Sequence, residues 1–239
     1  MNYNELNFQP VEGERQWAVS DAFPVLMRKV YVWMTLALVI TGVTAYGVAT
    51  SPGILQMIYG NSMVMWVLLI AELAIVISVS AAINRLSLST ATLLFVLYSV
   101  LNGAVLSSIF LLYTMSSITT VFLITAATFG VMALVGYTTK TDLSSMGKIV
   151  LMALLGLIIA TLVNLFLKNT MMDMIISYVG VLIFVGLTAY DSQRIKQMML
   201  QAPDASENMQ KLALLGALSL YLDFVNLFLY LLRIFGRRD

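Results

Sequence analysis

The sequence contains no cysteine and no histidine among its 239 residues. The absence of cysteine excludes disulfide bonds, thiolate metal ligands and cysteine nucleophiles. The absence of histidine excludes a serine–histidine catalytic pair. It also means that any response to protons near neutral pH must come from carboxyl groups in unusual surroundings. Aspartate and glutamate are therefore the residues on which proton chemistry in this chain depends.

Charged residues are scarce, at 10% of the sequence, whereas 60% of the residues are hydrophobic. Residues 30–71 and 86–139, stretches of 42 and 54 residues, contain no Asp, Glu, Lys or Arg. About 20 helical residues cross a bilayer core of roughly 30 Å, so each stretch can hold two spans. The net charge of +1 gives no basis for a nucleic-acid partner. The lipid bilayer is the expected surrounding of this protein.

We predict an all-α membrane protein, a bundle of seven transmembrane helices with the C-terminal helix at its centre. The last helix is placed inside because Asp223, Asn226 and Arg233 interrupt its apolar run. The predicted helices cover residues 30–50, 63–83, 88–113, 118–137, 148–167, 174–190 and 212–234. The predicted domains are a polar cytosolic tail (1–29), the transmembrane domain (30–236) and a short tail (237–239), with 191–211 as the longest loop between spans.

The orientation follows from lysine and arginine in the short loops, which gather on the same side as the N-terminus. The opposite loops carry only Lys168 before the C-terminus, so we expect a cytosolic N-terminus. The polar, acidic start of the chain predicts no cleavable signal peptide. The C-terminal arginines favour the cytosol as well, which a six-span model with a re-entrant last segment would satisfy. Residues 212–234 are long enough to cross the bilayer, which favours seven spans.

Several charges fall inside the predicted spans. An ionised side chain at mid-bilayer costs roughly 2.5 to 3.5 kcal/mol, so Glu72, Asp223 and Arg233 need partners or water. Counting the helical rise from the ends of the spans predicts two layers. The inner layer would gather Asp191, Asp223 and Arg85. The outer layer would pair Glu72 with Arg233.

Two carboxylates held close together cannot easily both be ionised, so Asp191 and Asp223 would share a proton. With the proton present they can hydrogen-bond and hold the last two helices together. Without it they repel each other, or one of them turns to Arg85. The deprotonated pair would offer oxygen ligands for calcium. Simpler interpretations stay open: a structural hydrogen bond for Asp223, interfacial water for Asp191, and a purely structural salt bridge between Glu72 and Arg233.

Four segments also resemble a known family. GLTAYDSQRIK (186–196) and GALSLYLDFVNLFLYLLRIFG (216–236) resemble the signature regions of the Bax inhibitor-1 family, also called the transmembrane Bax inhibitor motif proteins. GYTTKTDLS (136–144) and MRKVYVWMTLAL, from residue 27, are similar to its bacterial members. The resemblance covers nearly the whole chain from about residue 25 onward.

This resemblance implies a seven-helix fold and a pH-sensitive calcium leak controlled by a di-aspartyl pair. By motif position the pair is Asp191 and Asp223, which are then also the residues that contact the metal ion. Arg85 occupies the position of an arginine that latches the pair. The family's glutamate on the second helix and arginine on the seventh correspond to Glu72 and Arg233.

The resulting functional hypothesis is a pH-sensitive calcium or cation leak channel or transporter in a bacterial inner membrane. Its partners are the lipid bilayer, calcium ions and protons, with calcium as the transported ion and no cofactor. The alternative is a membrane-embedded regulator that binds a membrane AAA protease or another partner. We expect no enzymatic activity. The GxGD context of intramembrane aspartyl proteases is missing around both aspartates.

Overall fold

The computed structural model describes residues 12–237, with side chains from residue 22 onward. Within that range every regular element is an α-helix. The helices are α1 (Glu12–Ala49), α2 (Pro52–Tyr59), α3 (Ser62–Ala82), α4 (Leu88–Leu106), α5 (Ile109–Leu112), α6 (Met115–Thr138), α7 (Ser144–Leu167), α8 (Thr170–Leu200) and α9 (Glu207–Phe235). Seven segments of these residues are long and apolar enough to cross a membrane, and α4 and α5 together form the third.

Successive spans run in opposite directions, so the connections fall on two faces. We call the face with residues 83–87, 139–143 and 201–206 the N face, and the other the C face. On the N face, Leu88 N–H donates to the Glu207 carboxylate at 2.9 Å. On the C face, Thr114 N–H donates to the Arg237 carbonyl oxygen at 3.2 Å. The chain therefore ends on the face opposite residues 83–87, which supports seven spans over six spans with a re-entrant last segment.

The last span is the central helix, as the interruption of its apolar run predicts. α9 packs against α1, α4, α6 and α8. In its most apolar window 61% of the residues are buried inside the protein, compared with 6% for α3. Polar residues are tolerated along α9 because other helices, rather than lipid, surround it.

The predicted loop 191–211 is wrong over its first ten and its last five residues, because α8 continues as a helix to Leu200 and α9 begins at Glu207. Polar side chains of residues 191–200 bond to backbone groups at the end of α6 and in the connection after it. The Gln193 side chain accepts a hydrogen bond from Leu143 N–H and donates one to the Thr141 carbonyl oxygen, both at 2.8 Å. Lys196 Nζ donates to the Tyr137 carbonyl oxygen at 2.7 Å.

The start of the first span also differs from the prediction. The first candidate span begins at Ala22, and α1 itself at Glu12, so the predicted boundary at residue 29 lies inside a helix. The predicted tail residues 1–11 lie outside the described residues. The short helix α2 was not predicted. Asp142, in the connection before α7, accepts a hydrogen bond from Ser144 N–H at 2.9 Å, and the bonds from Ser144 lower the pKa of its carboxyl group.

Candidate functional site

Glycines let α8 approach its neighbours closely. A Cβ atom on Gly216 of α9 would lie 3.1 Å from Ile195 Cγ1 on α8. A Cβ atom on Gly136 of α6 would overlap the Ala189 carbonyl oxygen on α8. The two contacts flank Asp191 in sequence, so they fix the part of α8 that carries this carboxyl group against α6 and α9.

Asp223 lies in the middle of α9 with 5% of its surface exposed. Its Oδ2 atom is buried and accepts no hydrogen bond from the described residues. Asp191, half-buried on α8, is the acidic residue that acts on it electrostatically. The structure thus brings together the two carboxyl groups that the sequence pairs, one from each of the last two spans, inside the protein.

The predicted third member of this cluster, Arg85, does not join it. Arg85 lies in the exposed connection after α3, and its side chain makes no hydrogen bond or ion pair with any residue that the structure describes. The positive charge that acts on Asp191 belongs to Arg194, three residues further along α8. The predicted level was wrong as well, because Arg85 lies beyond the end of α3 on the N face, whereas α8 continues nine residues past Asp191.

A second polar cluster lies on another side of α9. The Tyr221 hydroxyl donates to Asn102 Oδ1 at 3.1 Å and lies 2.7 Å from Thr41 Oγ1. Thr41 in turn donates to the Ser99 carbonyl oxygen at 3.0 Å. Because residues on a helix are 100° apart, Tyr221 and Asp223 point to nearly opposite sides of α9. The helix therefore separates a hydrogen-bonded cluster from the carboxyl pair at nearly the same depth.

Glu72 belongs to this second cluster and not to the predicted ion pair with Arg233. Its carboxyl group interacts with the Asn102 side chain, and it acts electrostatically on Tyr98 and Tyr221. Arg233 is exposed, with its guanidinium 5.5 Å from the ring centre of Tyr230.

Glu72 and Arg233 do not pair because they lie at different depths along α9. Tyr221 lies 12 residues before Arg233, about 18 Å along the helix, so Glu72 sits far below the arginine. Asn102, Tyr221 and Thr41 were not singled out from the sequence. Asn102 carried a usable signal, since it is an amide in the middle of a charge-free span and is 8% exposed.

The carboxyl pair has oxygen ligands for a hard cation but is not a complete metal site. Among the described residues no group of three or more Asp, Glu, His or Cys side chains comes together. Two carboxylates supply at most four oxygens, whereas calcium takes six to eight. Water would have to complete the coordination of an ion at Asp191 and Asp223.

The fold and the site define a polytopic helical membrane protein with two carboxyl groups on its last two spans that interact electrostatically. A family model described as "Inhibitor of apoptosis-promoting Bax1" matches residues 24–239. The chain belongs to this family, the Bax inhibitor-1 family, which confirms the resemblance found in its sequence segments.

Bacterial relatives match over most of their length. The chain is 49% identical to the inner membrane protein YbhL of Escherichia coli strain K12, over 89% of this chain and 91% of the relative. An uncharacterised protein of Borreliella burgdorferi is 46% identical over the same shares. An uncharacterised protein of Rickettsia prowazekii is 43% identical over 89% of each chain. The protein is thus a membrane-embedded member of a family with many bacterial representatives.

Proposed function

We propose that the protein is a proton-sensitive cation leak in which Asp191 and Asp223 form the gate and calcium is the transported ion. The observation that carries this proposal is the buried Oδ2 atom of Asp223, which has no hydrogen-bond partner among the described residues, in a carboxyl group on which Asp191 acts electrostatically. A purely structural aspartate would be expected to have its oxygens satisfied.

The two protonation states of the pair hold the last two spans differently. With one shared proton, one carboxyl group can donate a hydrogen bond to the other and join α8 to α9. With both groups ionised, the like charges repel in surroundings of low dielectric constant. Loss of the proton therefore favours separation of the helices or entry of a cation between them.

Arg194 takes the role that the sequence assigned to Arg85. It acts electrostatically on Asp191 from one turn away on the same helix and is exposed at its other side. An arginine in this position favours an ionised Asp191 over an ionised Asp223. The shared proton then resides mainly on Asp223, the more buried member, and Asp191 is the first ligand that a cation meets.

Calcium flux into proteoliposomes, measured across a range of pH, tests the proposal. We expect flux through the unmodified protein to rise with pH, because deprotonation removes the link between α8 and α9. The Asp223→Asn variant keeps the size of the side chain but cannot lose a proton, so its flux should not vary with pH. The Asp204→Asn variant, which changes an exposed carboxyl group in the connection between α8 and α9, is the matched control. Equal flux through all three proteins at every pH would remove the proposal.

The polar residues at the start of the chain support a second candidate function, a regulator that binds a membrane AAA protease. Deletion of residues 1–21 leaves the described span from Ala22 intact. Under this alternative the deletion abolishes capture of the protease and leaves calcium flux unchanged. Under the leak hypothesis alone, the deletion changes neither.

We also infer that the N face lies in the cytosol of a bacterium, the chain being in its inner membrane. The support is the lysine and arginine bias of the N-face connections and the inner-membrane name of the Escherichia coli relative. The absence of native cysteine allows a direct test with single cysteines at Asn84 and Lys168. A membrane-impermeant maleimide added outside should label only the Lys168→Cys variant. We infer no enzymatic role, and incubation with a transmembrane peptide substrate should yield no cleavage.

A further inference from the structure

The third span is interrupted near the C face. α4 and α5 are separated by a turn at Ser107 and Ser108. In a continuous helix, Ser108 N–H would donate to the Ala104 carbonyl oxygen, and Ile109 N–H to that of Val105. An interrupted helix within a membrane needs other partners for these groups, because lipid provides none.

The hydroxyl group of Tyr59, the last residue of α2, fills the interruption. It accepts a hydrogen bond from Ser108 N–H at 3.0 Å and donates to the Val105 carbonyl oxygen at 2.7 Å. Ser107 Oγ lies 3.1 Å from the same hydroxyl and itself donates to the Ala104 carbonyl oxygen at 2.7 Å. A side chain has thus been inserted into the hydrogen-bond ladder of a transmembrane helix, which is a recognised cause of helix breaks.

The partners of the Tyr59 hydroxyl define what can occupy this position. They comprise oxygen atoms that accept hydrogen bonds and one N–H group, that of Ser108, which donates. A bare cation is excluded because the N–H dipole points its positive end at the position. A hydroxyl or a water molecule, which can donate and accept, fits all of these partners. The position is therefore suited to exchange between Tyr59 and water.

These bonds are also what ties α2 to the third span. Among the described residues, the side chain of Tyr59 makes all the hydrogen bonds between α2 and residues 104–108. Otherwise α2 packs on α1 and α3, and Ile58 is its buried residue. Loss of one hydroxyl group would leave α2 without a hydrogen bond to residues 104–108.

An apolar cavity of about 110 Å³ lies beside the interruption. Its wall includes Leu106 and Ile109, which flank the turn, and Phe224 and Val225 of α9. Thr41, a member of the second polar cluster, also lines it. The cavity therefore extends from the broken part of the third span to the polar interior of the bundle. A short apolar segment of this kind closes a pathway while dry and opens it once wetted.

We propose that Tyr59 is a latch that holds α2 over the interrupted third span and keeps the C-face end of the bundle closed. When water replaces the Tyr59 hydroxyl, the turn at Ser107 and Ser108 loses its bonds to α2, and the cavity wall at Leu106 and Ile109 opens toward the C face. The gating part of this inference rests on the proposed cation leak. The latch itself rests on the hydrogen bonds alone.

The test compares Tyr59→Phe with Tyr46→Phe, the same chemical change on a neighbouring tyrosine. Tyr46 packs its ring edge-on against Phe110 of α5 at 5.9 Å, and its hydroxyl makes no hydrogen bond with the described residues. Hydrogen exchange of the segment with Ser108 should be roughly fivefold faster in Tyr59→Phe. Calcium flux should rise by a similar factor at every pH, with its pH dependence retained. Tyr46→Phe should match the unmodified protein in both measurements.

Unchanged exchange at Ser108 in Tyr59→Phe would overturn the latch, and faster exchange with unchanged flux would overturn its gating role. If the unmodified protein carries no flux at any pH, the proposed function has failed, and the latch is judged by labelling. For this, Ala45→Cys places a thiol at the cavity wall of a chain without other cysteines. Faster reaction with a water-soluble maleimide in the Tyr59→Phe background supports the latch, and equal reaction overturns it.

Discussion

Two sides of α9 carry polar groups at nearly the same depth, and they are built differently. On one side, Tyr221 contacts Asn102 and Thr41, and each hydroxyl proton has an acceptor. On the other, the Asp191 carboxyl group acts electrostatically on the buried Asp223, and no described residue donates to Asp223 Oδ2. Hydroxyl groups that have acceptors hold one arrangement of helices, whereas an acidic pair changes its interaction when a proton leaves. The first side therefore contributes stability, and the proposed function places gating on the second.

The largest expected effect on stability comes from forcing α6 and α8 apart, on the Asp223 side of α9. In Gly136→Ala the new methyl group overlaps the backbone of Ala189, so α6 must move away from α8. We expect a loss of about 3 kcal/mol in the free energy of unfolding. Thermal unfolding in detergent micelles measures it. In the matched control Gly130→Ala, on the same helix, the methyl group meets no atom within 4 Å and stability should be unchanged or slightly higher.

A smaller loss of stability is expected from changes on the Tyr221 side of α9. Tyr221→Phe leaves Asn102 Oδ1 and Thr41 Oγ1 without the hydroxyl that bonds them. The free energy of unfolding should fall by about 1.5 kcal/mol, and the pH dependence of flux should stay as it is. The control Tyr178→Phe removes a hydroxyl from a lipid-facing tyrosine that bonds none of the described residues. If Tyr221→Phe abolished the pH response, the separation of roles between the two sides would be lost.

The smallest effect is expected at Glu72, which joins the Tyr221 side of α9 from α3. One of its oxygens, Oε1, is buried without a donor, and its neighbour is the Asn102 amide. Glu72→Gln removes the charge and keeps the shape, so the free energy of unfolding should change by less than about 1 kcal/mol. Arg233→Gln should give no larger change, because the two residues do not pair. A large loss for both, with no further loss in the double variant, would restore the predicted ion pair.

The spans could be predicted from the sequence because lipid demands long apolar segments. Charge-free stretches located the first four spans, and the polar interruptions of α9 correctly placed it at the centre. Prediction from hydropathy was wrong where other parts of the protein, rather than lipid or water, surround a segment. The second half of α8 is polar enough to read as a loop, yet Gln193 and Lys196 find backbone partners around residues 137–143 and the helix continues.

The candidate site was partly predictable for a related reason. Acidic residues within apolar helices are few, so Asp191 and Asp223 stand out, and their depth along antiparallel spans brings them level. Depth says nothing about the direction in which a side chain points around its helix. Depth itself was also misjudged: α8 continues past Asp191 to Leu200, so Arg85 lies nearer the N face than the pair, and Glu72 was paired with an arginine about 18 Å too far along α9. The uncharged partners, Asn102 and Tyr221, give a weaker signal that only packing reveals.

The central claim is that Asp191 and Asp223 interact inside the protein as like charges. A double-mutant cycle with Asp191→Asn, Asp223→Asn and the double variant tests it most directly through the free energy of unfolding at several pH values. Where both groups are ionised, each single change should relieve the repulsion, and the double change should add little to it. We expect a repulsive coupling of about 1 kcal/mol at high pH, which changes sign at lower pH where the shared proton joins the two groups by a hydrogen bond. Additive effects at every pH would contradict the account.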